Sequence, residues 1–203
     1  NLEEAEKLQM LKNMHKSAEE IFNLLENLLT WSSSQRGRIE YTPGKFNLST
    51  LVQVNMNLHK IPAEKKEISI TSDIADDLVA YGDREMINTV LRNLINNAVK
   101  FSHKGGTVEI EILDKDNFFE VIIRDHGVGI PSGDVKKLFR IDEKYKSRGT
   151  AGETGTGLGL VLCREFVEKN GGEIWCHTGE GKGTEFHFTI PGYTGEADEN
   201  QAS

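Results

Sequence analysis

Apolar residues recur at helical spacing through the first thirty positions of this 203-residue chain. One seam with alternating steps of three and four residues also carries His15, and a second stripe widens the apolar face. The seam consists of Leu8, Leu11, Ala18, Phe22, Leu25 and Leu29, and the second stripe of Met14, Ile21 and Leu28. Such a face is typical of a helical bundle or a wide coiled coil, and one helix cannot bury it alone. We therefore predict one long bundle helix whose partner helices come from sequence outside this chain or from another chain.

From Asn47 onward the pattern changes to alternating helices and strands. Helices are predicted at about 47–64, 83–101 and 157–169, and strands at 67–74, 78–82, 107–113, 118–124, 172–178 and 183–190. The predicted fold class is α+β, a two-layer sandwich in which helices cover one face of a mixed sheet. The polar tail from 192 to 203 is expected to be disordered, as a linker or a true end.

Composition narrows the class of protein. Hydrophobic residues make up 37% and charged residues 28%, with a net charge of −8, which is ordinary for a globular domain. The negative charge argues against nucleic acid as a partner and against docking on anionic membranes. The two cysteines, Cys163 and Cys176, are too few for a disulfide scaffold and are expected to be reduced, half-buried thiols.

The helix at 83–101 carries polar residues beside its apolar stripe. Asn93, Asn97 and Lys100 are spaced four and three residues apart and therefore share one face. Asparagine oxygens can ligate Mg²⁺, and a lysine can contact phosphate. A solvated polar face is the alternative, and this segment alone leaves both open.

Asp125 directly follows a predicted strand and is followed by Gly127, Gly129 and Ile130. A carboxylate there could accept a hydrogen bond from an exocyclic amine, since glycines permit close backbone approach. A plain turn explains the same residues.

Two further glycine-rich segments lie downstream. In the first, Gly155, Gly157 and Gly159 lead into a helix, so their N–H groups could face an anion, although a loop that binds nothing is also compatible. This segment is neither a Walker A loop nor a Rossmann fingerprint. The second, Gly181-Lys182-Gly183-Thr184, taken alone predicts a hairpin turn.

Taken in order, these segments resemble the GHKL ATPase superfamily and, within it, the catalytic domain of sensor histidine kinases. They correspond to the N box, the G1 box, the G2 box and the final Gly-x-Gly-Thr turn, with Leu138-Phe139-Arg140 as the F box. The resemblance covers about 47–191 and implies a Bergerat-type fold. Residues 17–31 resemble the second helix of the dimerisation and phosphotransfer hairpin. The implied domains are 1–40 for part of this hairpin, 41–191 for the ATP-binding domain and 192–203 for the tail.

The resemblance also implies roles for individual residues. Asp125 would accept from the adenine amino group, supported by Gly129 and Thr184, partly through water. Asn93 and Asn97 would hold Mg²⁺ bridging the phosphates of ATP. Lys100 would contact phosphate, and Phe101 would pack against adenine or ribose. The remaining nucleotide-binding residues implied are Gly127, Ile130, Phe139, Arg140, Gly155, Thr156, Gly157, Leu158 and Gly159.

Residues 140–154 would form a long loop over ATP, the lid. Its four cations are Arg140, Lys144, Lys146 and Arg148. Either one of them reaches the γ-phosphate or all belong to a solvated lid surface.

Position 93 separates two kinds of relative. Hydrolysing members of the superfamily, gyrase-like and chaperone-like, place a glutamate there to activate water, whereas an asparagine cannot act as a general base. The resemblance therefore implies a kinase that keeps the phosphate for a protein acceptor. Asn97 and Lys100 are its expected catalytic residues, acting with Mg²⁺ through positioning and charge stabilisation.

The acceptor histidine of the family is not expected in this chain. His15 is followed by Lys16 and Ser17 rather than by an acidic residue, and it is interpreted as a bundle or surface histidine. The other five, which also lack an acceptor-like context, are His59, His103, His126, His177 and His187.

The expected function is ATP binding and γ-phosphate transfer to a histidine on the dimerisation domain, for relay to a response-regulator aspartate. The expected partners are a second kinase subunit in a homodimer and the receiver domain of a response regulator. The expected location is cytoplasmic, within a membrane-anchored bacterial sensor. A degenerate scaffold acting through dimer contacts, and a hydrolase of the gyrase or chaperone type, are the alternatives.

Overall fold

The computed structural model describes residues 40–140, 149–153 and 157–193, with scattered positions between 4 and 29. All described positions between 4 and 29 are helical, as predicted, and the apolar side chains among them are exposed. His15 and residues 194–203 of the predicted tail lie outside the described residues. The assignment of 1–40 to a phosphotransfer hairpin stays a prediction.

Three helices follow in the domain, close to their predicted positions. They are α1 (Leu48–Lys65), α2 (Arg84–Phe101) and α3 (Gly159–Lys169), with a short 3₁₀ turn at Val135–Lys137. Asn47 caps α1 by accepting from Thr50 N at 2.7 Å, and the side chain of Asp83 accepts from two backbone N–H groups at the start of α2. These side chains satisfy N–H groups that a helix leaves without internal partners.

Five strands form a mixed sheet, namely β2 (Ser69–Asp73), β4 (Thr107–Lys115), β5 (Phe118–Asp125), β6 (Ile174–Thr178) and β7 (Thr184–Pro191). Their order across the sheet is β2-β4-β5-β7-β6. β2 runs parallel to β4, and the other pairs are antiparallel. The turn at 179–183 joins β6 to β7 as the predicted hairpin.

A two-stranded sheet was not expected from the sequence. Strand β1 (Gly44–Asn47) pairs antiparallel with β3 (Val79–Gly82), so β3 belongs to this small sheet and not to the mixed sheet. β1 was missed because its four residues include a single large apolar side chain, that of Phe46, and so show no alternation.

The helices cover one face of the mixed sheet. Ile110, Ile123 and Phe188 are buried in one core with the apolar stripes of the helices. On the opposite face Arg124 Nε donates to Glu185 Oε1 at 2.6 Å, and Nη1 donates to Glu109 Oε2 at 2.9 Å. The alternation of apolar and charged residues along the strands therefore separates core from solvent, and the predicted α+β sandwich is confirmed.

Both cysteines are free, Cys163 buried and Cys176 half-buried. Within the part of the chain that the structure describes, no helix combines the length and apolar character needed to cross a membrane.

Candidate functional site

Asp125 ends β5 and is a buried residue, only 3% exposed. Its Oδ1 accepts from the backbone N–H of Gly127 at 2.9 Å. Burial raises the pKa of Asp125 to about 6, although the backbone N–H groups of Gly127 and Thr184 and the nearby His126 act in the opposite direction. The group is therefore mostly an ionised hydrogen-bond acceptor at neutral pH, in surroundings that disfavour charge.

The backbone after Asp125 is packed against the end of α2. A Cβ on Gly127 would lie 2.0 Å from the carbonyl oxygen of Phe101, and Val128 N donates to that oxygen at 3.3 Å. An isolated bridge also links Gly127 to Ser102. Only glycine permits so close an approach of the two backbones. A glycine at position 127 therefore allows the loop after Asp125 to pack against the end of α2.

The β6–β7 turn closes on the same loop from the other side. Gly129 has a φ of +66°, and a Cβ there would lie 1.9 Å from the carbonyl oxygen of Gly179. Gly181 N donates to the carbonyl of Val128 at 2.8 Å. The G1 residues and the Gly-x-Gly-Thr turn, about fifty residues apart in sequence, are thus in direct contact.

Thr178 is a site residue that the sequence analysis missed. Its Oγ1 accepts from Ile130 N and donates to the carbonyl of Gly183, both at 2.9 Å, and lies 3.0 Å from Thr184 Oγ1. Because a hydroxyl has one proton, Thr184 donates to Thr178, and its lone pairs are left to accept from another group. A threonine at a strand end carries no sequence signal of this role.

The N box meets the start of α3. Asn93 and Asn97 are half-buried on α2, and Asn93 Nδ2 donates to the carbonyl of Thr89 at 2.9 Å. The Oδ1 of Asn93 faces Gly159, where a Cβ would lie only 2.8 Å away. The glycine at the first position of α3 therefore allows the glycine-rich segment to approach the asparagine oxygen.

Lys100 and Phe101 end the same helix and are both half-buried. Lys100 Nζ lies 4.8 Å from the centroid of the Phe101 ring. In the F box, the Phe139 ring contacts Phe186 edge-to-face at 6.5 Å, so it packs on the core, while Arg140 is exposed.

The glycine-rich segment is described in part. Gly157 has a φ of +76°, Leu158 precedes α3, and the helix begins at Gly159 rather than at 157. Gly155 and Thr156, with the lid residues Lys144, Lys146 and Arg148, lie outside the described residues.

The donor atoms on α2 suit a hard cation. No three His, Cys, Asp or Glu side chains among the described residues are grouped to hold a metal ion. The amide nitrogen of Asn93 is used within the helix, which leaves its oxygen directed at the start of α3. Neutral oxygen ligands of this kind fit Mg²⁺ that is also bound by phosphates.

Comparison with known proteins identifies the family. Residues 82–194 match the family described as "Histidine kinase-, DNA gyrase B-, and HSP90-like ATPase". The chain belongs to this family, and its solved structural relatives are histidine kinase catalytic domains.

Individual relatives agree with this assignment. The chain is 33% identical over 197 residues to the adaptive-response sensory kinase SasA of Prochlorococcus marinus subsp. pastoris (strain CCMP1986 / NIES-2087 / MED4), covering 96% of this chain and 52% of the relative. The chain therefore spans about half the length of this curated relative.

Among solved structures, the catalytic domain of histidine kinase ThkA matches with a TM-score of 0.65 and 30% identity, covering 74% of this chain and 97% of that one. ThkA in complex with the response regulator TrrA matches with a TM-score of 0.67 and 26% identity, covering 87% of this chain and 50% of that one.

Proposed function

We propose that this chain is the ATP-binding part of a two-component sensor histidine kinase and transfers the γ-phosphate of ATP to a histidine on a dimerisation domain. The observation that carries the proposal is the environment of Asp125. A buried carboxylate is held by Gly127 and enclosed by the two glycine turns, beside a helix end bearing Lys100 and Phe101. Burying such a charge lowers stability, which favours a role in recognition over one in structure.

The carboxylate of Asp125 gives the site its base specificity. It accepts a hydrogen bond from the exocyclic amino group of adenine. Next to it, the hydroxyl oxygen of Thr184 accepts a hydrogen bond from a water molecule or from the base. A base without that amino group leaves a buried acceptor unpaired, and such an acceptor costs roughly 1–3 kcal/mol.

The opposite end of the site handles the phosphates. Asn93 and Asn97 would hold Mg²⁺, which when bound neutralises phosphate charge. Lys100 contacts phosphate, and the N–H groups around Gly157 and Gly159 face it at the start of α3. Because Asn93 cannot deprotonate water, the residues on α2 position and stabilise the phosphate without directing it to hydrolysis.

The partners follow from this chemistry. The phosphate acceptor is a histidine on the hairpin domain, the kinase acts as a homodimer, and a receiver domain takes the phosphate in turn. The solved complex of ThkA with its response regulator supports the last step by analogy. The cytoplasmic location and the membrane anchor expected of the parent protein stay predictions.

The test is phosphorylation in trans. The chain is mixed with ATP labelled at the γ-phosphate and with a separately made hairpin from the parent protein that carries the acceptor histidine. We expect acid-labile label on the hairpin, and none when that histidine is replaced by alanine or when the kinase carries Asp125→Asn.

Two other outcomes would each contradict the proposal. ATP binding without any phosphohistidine would identify a scaffold that no longer turns over. Fast, steady phosphate release without a hairpin would identify a hydrolase of the gyrase or chaperone type.

A further inference from the structure

Lys66 lies just after α1 and reaches the far end of α2. Its side chain is 15% exposed, and its Nζ lies within hydrogen-bond distance of four oxygens. These are the carbonyls of Val99 and Lys100 and Thr150 Oγ1, each at 2.8 Å, and Glu153 Oε1 at 3.1 Å. A cation is favourable here because the last carbonyls of a helix lack partners within it.

Residues 149–153 are folded around the same ammonium group. Glu153 Oε2 accepts from Ala151 N at 2.9 Å, and the carbonyl of Glu153 accepts from Gly149 N at 2.8 Å. Burial would raise the pKa of Glu153, but hydrogen bonds from backbone N–H groups and from Lys66 outweigh it and hold the pKa below its ordinary value. The carboxylate is therefore a stable counter-charge for Lys66.

The same segment is attached to Lys100 directly. Thr150 N donates to the carbonyl of Lys100 at 3.1 Å, and Thr150 Oγ1 donates to the carbonyl of Ser102 at 2.7 Å. A Cβ on Gly149 would lie 2.7 Å from Cγ of Lys100, so the backbone of Gly149 packs on the aliphatic stem of that lysine. Lys100 is thus confined between its own helix and residues 149–153.

We propose that Lys66 is a positioning residue for the phosphates of the nucleotide, because it clamps residues 149–153 onto the last turn of α2 and thereby fixes the Lys100 side chain. The inference rests on the proposed function, in which Lys100 contacts phosphate. Lys66 itself is not among the residues proposed to contact nucleotide or metal. It lies outside every motif on which the family resemblance depends, and only the folded chain brings it to the end of the N-box helix.

The experiment compares Lys66→Met with Lys65→Met in the complete chain. Lys65 is the adjacent lysine and is exposed, so Lys65→Met loses the same charge without disturbing the clamp. Mg-ATP binding is measured by calorimetry and adenosine binding by ligand-observed NMR. We expect Lys66→Met to weaken Mg-ATP binding about tenfold through misplacement of a single phosphate contact, with adenosine binding unchanged. Lys65→Met should match the wild type for both ligands.

Two further variants strengthen the test. Lys66→Arg keeps the charge and several donors, so it should recover much of the ATP affinity. Glu153→Gln removes the counter-charge while it leaves Lys66 on the helix carbonyls, and it should weaken ATP binding in the same direction. It also provides the measurement if Lys66→Met does not fold.

The outcomes separate this inference from the proposed function. Wild-type affinity for Mg-ATP in both Lys66→Met and Glu153→Gln would overturn the clamp. An equal loss of ATP and adenosine affinity would also overturn it, since Lys66 would then only support the fold. A wild-type chain that is folded but binds no ATP would overturn the proposed function itself.

Discussion

Gly183 lies against the main chain of Asp125, so closely that a Cβ on Gly183 would sit 2.0 Å from the carbonyl oxygen of Asp125. Gly183 also has a φ of +78°. Gly181, in the same turn, has a φ of +71°, but a Cβ there would meet no atom within 4 Å. The turn therefore contains two glycines with the same backbone requirement, of which only Gly183 also lacks room for a Cβ, because that atom would meet Asp125.

This pair predicts different effects for the same substitution. Gly181→Ala should lower the free energy of unfolding by about 1 kcal/mol, which is the strain of an L-residue at positive φ. Gly183→Ala adds a clash with Asp125, so it should lower the free energy of unfolding by about 3 kcal/mol and should also markedly weaken ATP binding. Urea denaturation and calorimetry measure both quantities. Equal losses in the two variants would show that Gly183 does not support Asp125.

The raised pKa of Asp125 predicts that this residue lowers the stability of the nucleotide-free protein. Its pKa is about 6 in the folded chain against an ordinary 3.8, so the folded state holds a proton in a pH range where the unfolded state does not. Above pH 6 the ionised carboxylate therefore lowers the free energy of unfolding by about 3 kcal/mol. This loss diminishes as pH falls through 6 towards 4.

Without nucleotide at pH 7.5, we expect the free energy of unfolding of Asp125→Asn to be at least as high as that of the wild type. That advantage should shrink as pH is lowered from 7 to 4, because only the wild type gains stability from protonation at this site. Urea denaturation at several pH values is the measurement. A difference between the two proteins that does not change with pH would contradict a raised pKa.

From the position of Asn93 we predict that its substitution weakens ATP binding in a way that depends on Mg²⁺. Asn93→Ala should gain less ATP affinity from Mg²⁺ than the wild type does, since the variant lacks one of the two amide oxygens that would hold the ion. Asn96→Ala is the matched control, because Asn96 is exposed on the same helix. Calorimetry with and without Mg²⁺ gives the comparison. An unchanged Mg²⁺ effect in Asn93→Ala would remove this residue from the metal site.

The parts predicted from the sequence are those with a local signature. The α2 stripe follows helical periodicity, and β4 alternates between apolar and charged residues from Val108 to Ile112. The candidate site was inferred from the resemblance that its motifs carry when taken in order, because each glycine segment alone is also compatible with a plain turn or loop. The structure shows why Gly127 and Gly129 cannot carry a side chain.

The parts that were missed depend on partners distant in sequence. Pairing of β1 with β3 joins segments separated by the whole of α1. Thr178 and Lys66 have ordinary local surroundings, and their contacts appear only when Ile130 and Glu153 are brought to them. Single polar residues of this kind have no periodicity or motif that could reveal their roles.

The most direct test of an adenine-binding site at Asp125 is calorimetric titration of Mg-ATP into the wild-type chain and Asp125→Asn, both shown to be folded. Inosine triphosphate, which lacks the exocyclic amino group, is titrated in parallel. The account predicts one ATP site in the wild type, much weaker binding of inosine triphosphate, and no measurable ATP binding by Asp125→Asn. Wild-type affinity for Mg-ATP in folded Asp125→Asn would contradict it.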